Sequence, residues 1–297
     1  MYMYAANVAG FVHRDKGLES QDNVERCFRR GVSALALCDG AGSYPFAAEG
    51  AREMSRQAAR QMARGFRRYA KMPEERLRGE MVELIDLTLS RLRRKYGCEE
   101  VENAFASTLI CVGCDAKTGE YLAVHLGDGL FLAEKGERVI CTATGRYGTG
   151  DRARATVLTT APAGMLMREM QIQRGRADRV VVASDGGENR LFRREGRFNA
   201  PTPALGVLLN RLEEAPSRQR SQTLTEVLQY AFRPMDDLSV GILSRRPAGE
   251  ALERPEFVRY ALAREAGLGR NAAARRAGWG RRNRKRKIAQ AAGRNLL

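Results

Sequence analysis

Three apolar runs in this sequence each border an aspartate, and this pattern constrains the fold more than any other feature. The runs and their acidic neighbours are residues 34–38 before Asp39, residues 180–184 before Asp185, and residues 238–243 after Asp236 and Asp237. Runs of this length predict buried strands, which would put the aspartates at sheet edges. Gly40 and Gly186 allow the backbone to turn sharply there. Convergence of the three edges would produce a site for Mg²⁺ or Mn²⁺, which prefer carboxylate, carbonyl and water ligands.

The composition is that of a globular protein. The 297 residues are 43% hydrophobic and 29% charged, enough for a sizeable core, as one large domain or as one domain with an appendage. No apolar stretch approaches the roughly 20 residues that cross a bilayer, and the N-terminus lacks the basic and then apolar order of a secretory signal. We therefore expect a cytoplasmic protein with no membrane partner.

Six cysteines are scattered without the spacing of a disulfide framework, which favours reduced thiols. Cys111 and Cys114 form the one Cys-x-x-Cys pair and lie in a predicted strand, where residues three apart point to opposite faces. Chelation by this pair is therefore not expected. Buried cysteines that pack as small hydrophobes are favoured over a metal or redox role.

The net charge of +16 is unevenly distributed along the chain. Residues 250–297 contain 13 Lys and Arg against 4 Asp and Glu. This change predicts one domain at residues 1–245 and a basic C-terminal extension at 246–297, partly helical or disordered. The basic run 281–287 beside Trp279 could bind a polyanion or nucleic acid through phosphates and stacking. A solvated, disordered segment is the alternative.

The apolar periodicity predicts an α+β protein. Residues 45–69 and 73–96 repeat apolar side chains every three or four positions, which indicates two amphipathic helices, with Gly97 as the stop of the second. Short strands are then predicted at 104–112, 121–125, 130–133 and 138–141. Residues 145–170 are interpreted as an irregular surface excursion. Residues 203–213 and 217–232 have helical patterns before the last strand, and helix pairs beside consecutive antiparallel strands indicate α+β layers.

Carboxylates that share two divalent ions can activate a water and clamp a phosphoryl group, a chemistry that needs no nucleophilic side chain. The sequence is compatible with it. The chain has two histidines, His13 and His125, and no Gly-x-Ser-x-Gly signature. His125 alternates with apolar residues and is interpreted as a core histidine, whereas His13 fits a structural hydrogen bond and a substrate contact equally well.

Six motifs resemble, in order, the successive motifs of the protein phosphatase 2C family. They are residues 10–13 with Gly17 and 21–23, residues 38–42, 106–108, 126–129, 183–186 and 236–239. The resemblance covers about residues 5–245. It implies a four-layer α-β-β-α sandwich of two antiparallel sheets flanked by helices. It also implies two Mn or Mg ions and a phosphorylated protein substrate, whose phosphoserine or phosphothreonine is hydrolysed by a metal-bridging hydroxide.

The resemblance assigns the metal ligands by motif. Asp39 would bridge both ions, and the carbonyl of Gly40 would bind one of them. Asp185 and Asp236 would hold the other ion. Asp128 resembles an aspartate that helps to hold a third, more weakly bound metal in some members.

The catalytic residues follow the family less closely. Asp22 would orient a metal-bound water. Many eukaryotic members carry a histidine at the position of Ala41, whereas bacterial relatives, like this chain, have no histidine there. The leaving group must then be protonated by water or by another residue. The second ligand of the third metal would fall at Asn189, beside Glu188, which weakens the prediction of that site.

The phosphate-binding arginine of the family has no positional match in this chain. His13, Arg14 and Lys16 are the candidates to replace it, each as a charge or a hydrogen-bond donor to a phosphate oxygen. The missing arginine and Ala41 motivate a second hypothesis, a catalytically idle module that binds phosphoproteins. A third is binding of nucleic acid through the basic extension.

Overall fold

Two five-stranded antiparallel sheets pack face to face, and each carries helices on its outer surface. The structure is a computed structural model that describes residues 1–101, 103–136, 138–143, 157–188, 190–195 and 198–245. The proposed extension at 246–297 therefore lies outside the described residues. None of the helices in the described ranges is both long and apolar enough to cross a membrane.

The described residues form twelve strands and six α-helices. The strands are β1 (Tyr2–Val8), β2 (Asn23–Arg29), β3 (Val32–Cys38), β4 (Leu109–Asp115), β5 (Glu120–Leu126), β6 (Leu130–Lys135), β7 (Arg138–Ala143), β8 (Gln171–Arg176), β9 (Arg179–Ala183), β10 (Phe192–Glu195), β11 (Phe198–Pro201) and β12 (Leu238–Ser244). The helices are α1 (Phe11–Asp15), α2 (Ala47–Tyr69), α3 (Glu74–Tyr96), α4 (Ala163–Glu169), α5 (Pro203–Glu214) and α6 (Arg220–Glu226).

The strand order places distant parts of the chain side by side. The first sheet has the order β1-β12-β9-β6-β7, and the second has the order β2-β3-β4-β5-β8. In the first sheet Val240 of β12 pairs with Ala183 of β9. In the second sheet Asn23 of β2 pairs with Cys38 of β3. Strands β10 and β11 form a separate hairpin.

Buried side chains form one cluster between each pair of neighbouring layers. Between α2, α3, α4 and the second sheet lie residues such as Met54, Phe66, Leu77, Cys111 and Leu166. Between the two sheets lie residues such as Leu35, Ile110, Phe131 and Val182. Between the first sheet and α5 and α6 lie residues such as Leu205, Leu209, Leu224 and Ile242. These three clusters make a four-layer α-β-β-α sandwich and confirm the predicted α+β class.

The long helices follow their predicted bounds closely. Helix α3 ends at Gly97, whose φ of 61° is the left-handed conformation that glycine adopts at little cost. Strand β4 begins at Leu109 rather than at Ala104, because the preceding residues turn to pair with Gly40. The predicted helix at 217–232 is a 3-10 turn, then α6, then a π-helical turn.

Several elements were not predicted from the sequence: β1, β2, β8, β10, β11, α1 and α4. The stretch interpreted as an irregular excursion contains α4, which buries Leu166. Residues 145–156 of that stretch lie outside the described residues.

The five cysteines whose side chains are described are unpaired. Cys111 packs toward α2, whereas Cys114 packs between the sheets, so the two point to opposite faces as predicted. Burial raises the pKa of both thiols, that of Cys114 to about 12. These thiols therefore stay protonated and act as packing residues.

Arg220 is a buried cation that joins β1 to the α5–α6 connection. It is 1% exposed. Its guanidinium donates hydrogen bonds to the hydroxyl of Tyr4 and to the carbonyls of Glu213 and Ala215, at 3.0 and 2.9 Å for the carbonyls. It also lies over the rings of Tyr2 and Tyr4, 5.7 and 5.1 Å from their centroids. The outer helices are thus fixed to the first sheet by a polar contact as well as by apolar packing.

Replacing this guanidinium should destabilise the protein. Arg220→Met leaves three buried acceptors without their donor, so we expect the free energy of unfolding to fall by about 3 kcal/mol in urea denaturation. Arg218→Met is the matched control, because Arg218 is exposed two residues earlier. It should change the free energy by less than about 0.5 kcal/mol. Equal effects of the two substitutions would contradict this role of Arg220.

Candidate active site

The candidate active site lies where several strands of both sheets end. Strand β3 ends immediately before Asp39, and β2 begins immediately after Asp22. Because Asn23 pairs with Cys38 in antiparallel strands, Asp22 and Asp39 lie beside each other at this end of the second sheet. In the first sheet β9 ends just before Asp185, and β12, its antiparallel partner, begins just after Asp236 and Asp237. The strand register therefore collects these carboxylates at one end of the sandwich.

The pKa values of three of these aspartates are raised, and neighbouring carboxylates are among the causes. Burial, together with the charges of Asp237 and Asp185, raises the pKa of Asp22 to about 7. Burial, Asp22 and Asp185 likewise hold the pKa of Asp39 well above its usual range. For Asp185 the pKa is raised by burial and by the charge of Asp128. Each group thus resists ionisation, first because it is buried and then because its neighbours are also acidic.

Asp22 is the most unusual of these residues. Its side chain is 3% exposed, and within the described ranges neither carboxylate oxygen has a hydrogen-bond partner. A buried carboxylate without a donor is costly unless a cation or an ordered water approaches it. Within the described ranges, no group of three or more His, Cys, Asp or Glu side chains is arranged so that it could hold a metal ion. The donors nevertheless fit hard divalent cations, because neighbouring carboxylates whose charges raise one another's pKa are what such ions neutralise.

The turn at Asp39 and Gly40 is fixed by the segment before β4. The amide of Asp39 donates to the hydroxyl of Thr108 at 3.0 Å, and the amide of Thr108 donates to the carbonyl of Asp39 at 2.8 Å. A Cβ at Gly40 would lie 2.6 Å from the carbonyl oxygen of Gln21, so only glycine fits. The Asp39 turn, the residue before Asp22 and the 106–108 motif are therefore packed into one unit.

The turn at Asp185 is fixed in the same way by the start of β12. The amide of Ser184 donates to the carbonyl of Ser239, and the amide of Ser239 donates to the Ser184 hydroxyl at 2.9 Å. A Cβ at Gly186 would lie 2.0 Å from the carbonyl oxygen of Asp237. The two acidic turns of the first sheet therefore support each other directly.

Asp237 holds the segment that precedes β2. Its buried carboxylate accepts hydrogen bonds from the amide of Gly10 at 2.8 Å and from the amide of Gln21 at 2.6 Å. The Nδ1 atom of His13 lies 2.8 Å from each of its oxygens. Sequence reasoning missed this role, since two adjacent aspartates give no sign of which one is buried. Asp236, beside it, is exposed.

The candidates for phosphate binding lie on this segment. Arg14 and Lys16 are exposed. The contact between His13 and Asp237 favours the structural interpretation of that histidine, and a substrate contact by His13 stays a prediction. Whether any of the three residues binds phosphate stays a prediction as well.

His125 is a core histidine, as predicted, and it also supports the turn at Asp128. It is 1% exposed and lies with its Nε2 atom 3.2 Å from the carbonyl oxygen of Asp128. Burial lowers its pKa, which keeps the ring neutral. Gly127 and Gly129 flank the aspartate with φ of 93° and 101°. Asn189, the weak third-metal candidate, lies outside the described residues.

Substituting the two neighbouring aspartates should change the stability of the protein by unequal amounts. In Asp237→Asn the new amide group would face an N–H donor, so we expect the metal-free protein to lose about 3 kcal/mol of stability. In Asp236→Asn the amide oxygen can still accept the 2.9 Å hydrogen bond from the Asp237 amide. Its stability should change by less than about 1 kcal/mol. Chemical denaturation in EDTA measures both, and a larger loss in Asp236→Asn would contradict the assignment.

Comparisons with known proteins agree with this fold. Residues 9–229 match the family model described as protein phosphatase 2C. Solved structures of similar fold include a bacterial serine phosphatase, at 13% identity and a TM-score of 0.53, covering 83% of this chain and 98% of that one. Another is a C. elegans sex-determining protein, at 16% identity and a TM-score of 0.54, covering 84% of this chain and 66% of that one. These likenesses show the fold. A search among curated proteins finds no match.

Proposed function

Since the chain belongs to the protein phosphatase 2C family, we propose that it is a Mn- or Mg-dependent phosphatase that hydrolyses phosphoserine and phosphothreonine in a protein substrate. The observation that carries the proposal is the buried, unpartnered carboxylate of Asp22 among the acidic turns at Asp39 and Asp185. Uncompensated carboxylates at this position are what divalent ions would neutralise.

The residues of the site would have the roles that the family motifs suggest. Asp39, the carbonyl of Gly40, Asp185 and Asp236 would hold two ions, and Asp128 would contribute to a third. Bound ions of this kind lower the pKa of a water and neutralise phosphoryl oxygens. Asp22 would accept a hydrogen bond from the attacking water, since both its oxygens lack a protein donor. The burial of Asp22 would keep this water oriented.

Leaving-group protonation would fall to water or to another residue, since Ala41 carries no titratable group. The segment before β4 keeps the backbone at Ala41 in place, because the Ala41 amide donates to the carbonyl of Ala106 at 3.0 Å. This arrangement fits a site in which charge neutralisation, rather than an acidic side chain, lowers the barrier.

The test is phosphate release by the full chain after EDTA treatment. We expect turnover of a phosphothreonine peptide and of p-nitrophenyl phosphate to return saturably as Mn²⁺ or Mg²⁺ is added, and to stop on renewed EDTA. Binding of the peptide without phosphate release, at every metal concentration, would contradict the proposal. That result would instead support the idle phosphoprotein-binding module.

We also propose that residues 246–297 form a separate basic extension that binds polyanions. Its net charge predicts binding to duplex DNA that weakens steeply with salt. Filter binding by the full chain at increasing NaCl concentrations tests this. Binding that does not respond to salt would contradict it.

A further inference from the structure

An exposed apolar surface lies beside the candidate active site. It consists of Phe11, Val12, Leu18 and Met235, which are 54%, 45%, 52% and 64% exposed, and we refer to it as the apolar rim. Large apolar side chains left exposed as a group, rather than singly, mark interaction surfaces. The apolar rim is therefore a candidate contact surface.

The apolar rim is built from two segments whose backbones touch. The amide of Phe11 donates to the carbonyl of Pro234 at 2.9 Å, and the amide of Val12 donates to the carbonyl of Met235 at 3.3 Å. The amide of Leu18 donates to the carbonyl of His13 at 2.9 Å, which folds the end of the first segment back onto α1. The four side chains thus stand on one compact, hydrogen-bonded unit.

This unit is attached directly to the acidic turns. Asp237 binds the amides of Gly10 and Gln21, the two ends of the segment that carries α1. A Cβ at Gly10 would lie 2.3 Å from the carbonyl carbon of Asp236. Gln21 precedes Asp22 in the chain. The apolar rim is therefore continuous with the carboxylates that we assign to the metals and to the attacking water.

Helix α1 adds little to the hydrophobic core. None of its five residues is buried, although a buried carboxylate anchors it. Its exposed charged neighbours are mixed in sign, Arg14 and Lys16 against Asp15 and Glu19. Charge therefore gives this surface little preference, and apolar contact is what it can offer to a partner.

We propose that the apolar rim docks the substrate itself, a phosphoprotein segment with a large apolar side chain within a few residues of the phosphoserine or phosphothreonine. This inference rests on the proposed function. The continuity of the rim with the acidic turns selects this occupant, because a phosphoryl group held there brings the flanking residues of its own chain across the rim. An extended peptide advances about 3.3 Å per residue, so neighbours a few positions away reach it.

Matched phosphothreonine peptides test the inference on the full chain with Mn²⁺. One series carries leucine at a single position from three residues before to three residues after the phosphothreonine, and the reference peptide has serine there. We expect the leucine peptide at the best position to be hydrolysed at least about tenfold better in kcat/KM, through a lower KM. In Phe11→Ser and in Met235→Ser this preference should fall toward one.

Phe28→Ser and Val207→Ser are the matched controls. Both side chains are also exposed, at 60% and 64%, but they lie on β2 and α5, away from the apolar rim. The controls should keep the tenfold preference. Absence of a preference in the unsubstituted protein, or its survival in both rim variants, would overturn the inference.

Two further readouts separate this inference from the proposed function. If no peptide and no p-nitrophenyl phosphate is hydrolysed, the proposed function fails, and fluorescence anisotropy of the labelled peptides then decides the inference by the same ratios. Sedimentation of the protein and of Phe11→Ser checks the other occupant, a second copy of the chain. A dimer that dissociates on this substitution, with no peptide preference, would assign the rim to self-association and overturn the inference.

Discussion

Asp39→Asn and Asp185→Asn should each lower Mn²⁺-dependent hydrolysis of a phosphothreonine peptide by at least about 100-fold. Losing a group that only orients a metal ligand already costs about 10- to 100-fold, and these two aspartates are proposed as ligands themselves. Steady-state kinetics at saturating Mn²⁺ measure the effect. Asp86→Asn, an exposed aspartate on α3, is the control and should keep full activity.

The same substitutions should stabilise the metal-free protein. Burial and the neighbouring carboxylates raise the pKa of Asp39 well above its usual range, so the ionised side chain is unfavourable at neutral pH. A neutral asparagine removes that repulsion. Higher stability in EDTA together with lost activity would identify a cation site, since a residue that only supported the fold would lose both. Unchanged activity in both variants would contradict the proposed site.

The metal-free protein should lose stability as the pH rises from about 4 to about 7. The pKa of Asp22 is raised from 3.8 to about 7 in the folded protein, so the folded state binds more protons than the unfolded state across this interval. The stabilisation is fully present below the unfolded pKa and is lost as the pH rises through the folded pKa. A shift of this size corresponds to a loss on the order of 4 kcal/mol.

Chemical denaturation in EDTA at pH 4.5 and 7.5 measures this loss. Asp22→Asn should reduce the loss, and Asp39 and Asp185, whose pKa values are also raised, account for what remains. Saturating Mn²⁺ should offset it at pH 7.5, because a ligand at 100 times its Kd stabilises by about 2.7 kcal/mol. Asp115 contributes in the other direction and at lower pH, since hydrogen bonds from the Thr118 and Lys117 amides lower its pKa. Equal stability at the two pH values in EDTA would contradict the proposed repulsion.

The sequence predicted the elements whose apolar residues repeat over many positions. Helices α2 and α3 have such repeats over 23 residues each. Buried strands such as β3 and β9 are short continuous apolar runs. Because the end of each run is clear in the sequence, the aspartate that follows it could be recognised too.

The edge strands β1, β2 and β8 could not be predicted in this way, whereas the edge strand β7 was predicted at 138–141. Strand β2 at the edge of the second sheet has no fully buried residue, so it shows no apolar alternation. Strand β1 buries only three side chains and is fixed by pairing with β12, more than 200 residues later. These strands depend on tertiary contacts rather than on local pattern.

The sequence selected the carboxylates of the candidate site, but it did not predict the hydrogen bonds that hold the surrounding segments in place. The motif order selected Asp22, Asp39 and Asp185, and the structure places them where Asp22 and Asp185 raise the pKa of Asp39. That these aspartates act on a metal or a water stays a prediction. The anchoring role of Asp237 depends on amides at Gly10 and Gln21, which are more than 200 residues away in the chain. A contact to backbone amides leaves no trace in side-chain composition, so it required the fold.

Anomalous diffraction from crystals grown with MnCl₂ tests the central claim most directly. We expect two manganese peaks bounded by the carboxylates of Asp39, Asp185 and Asp236 and by the carbonyl of Gly40. Diffraction data to ordinary resolution, collected at the manganese edge, would show them. Well-ordered aspartate side chains with no anomalous peak between them, at saturating manganese, would contradict the account.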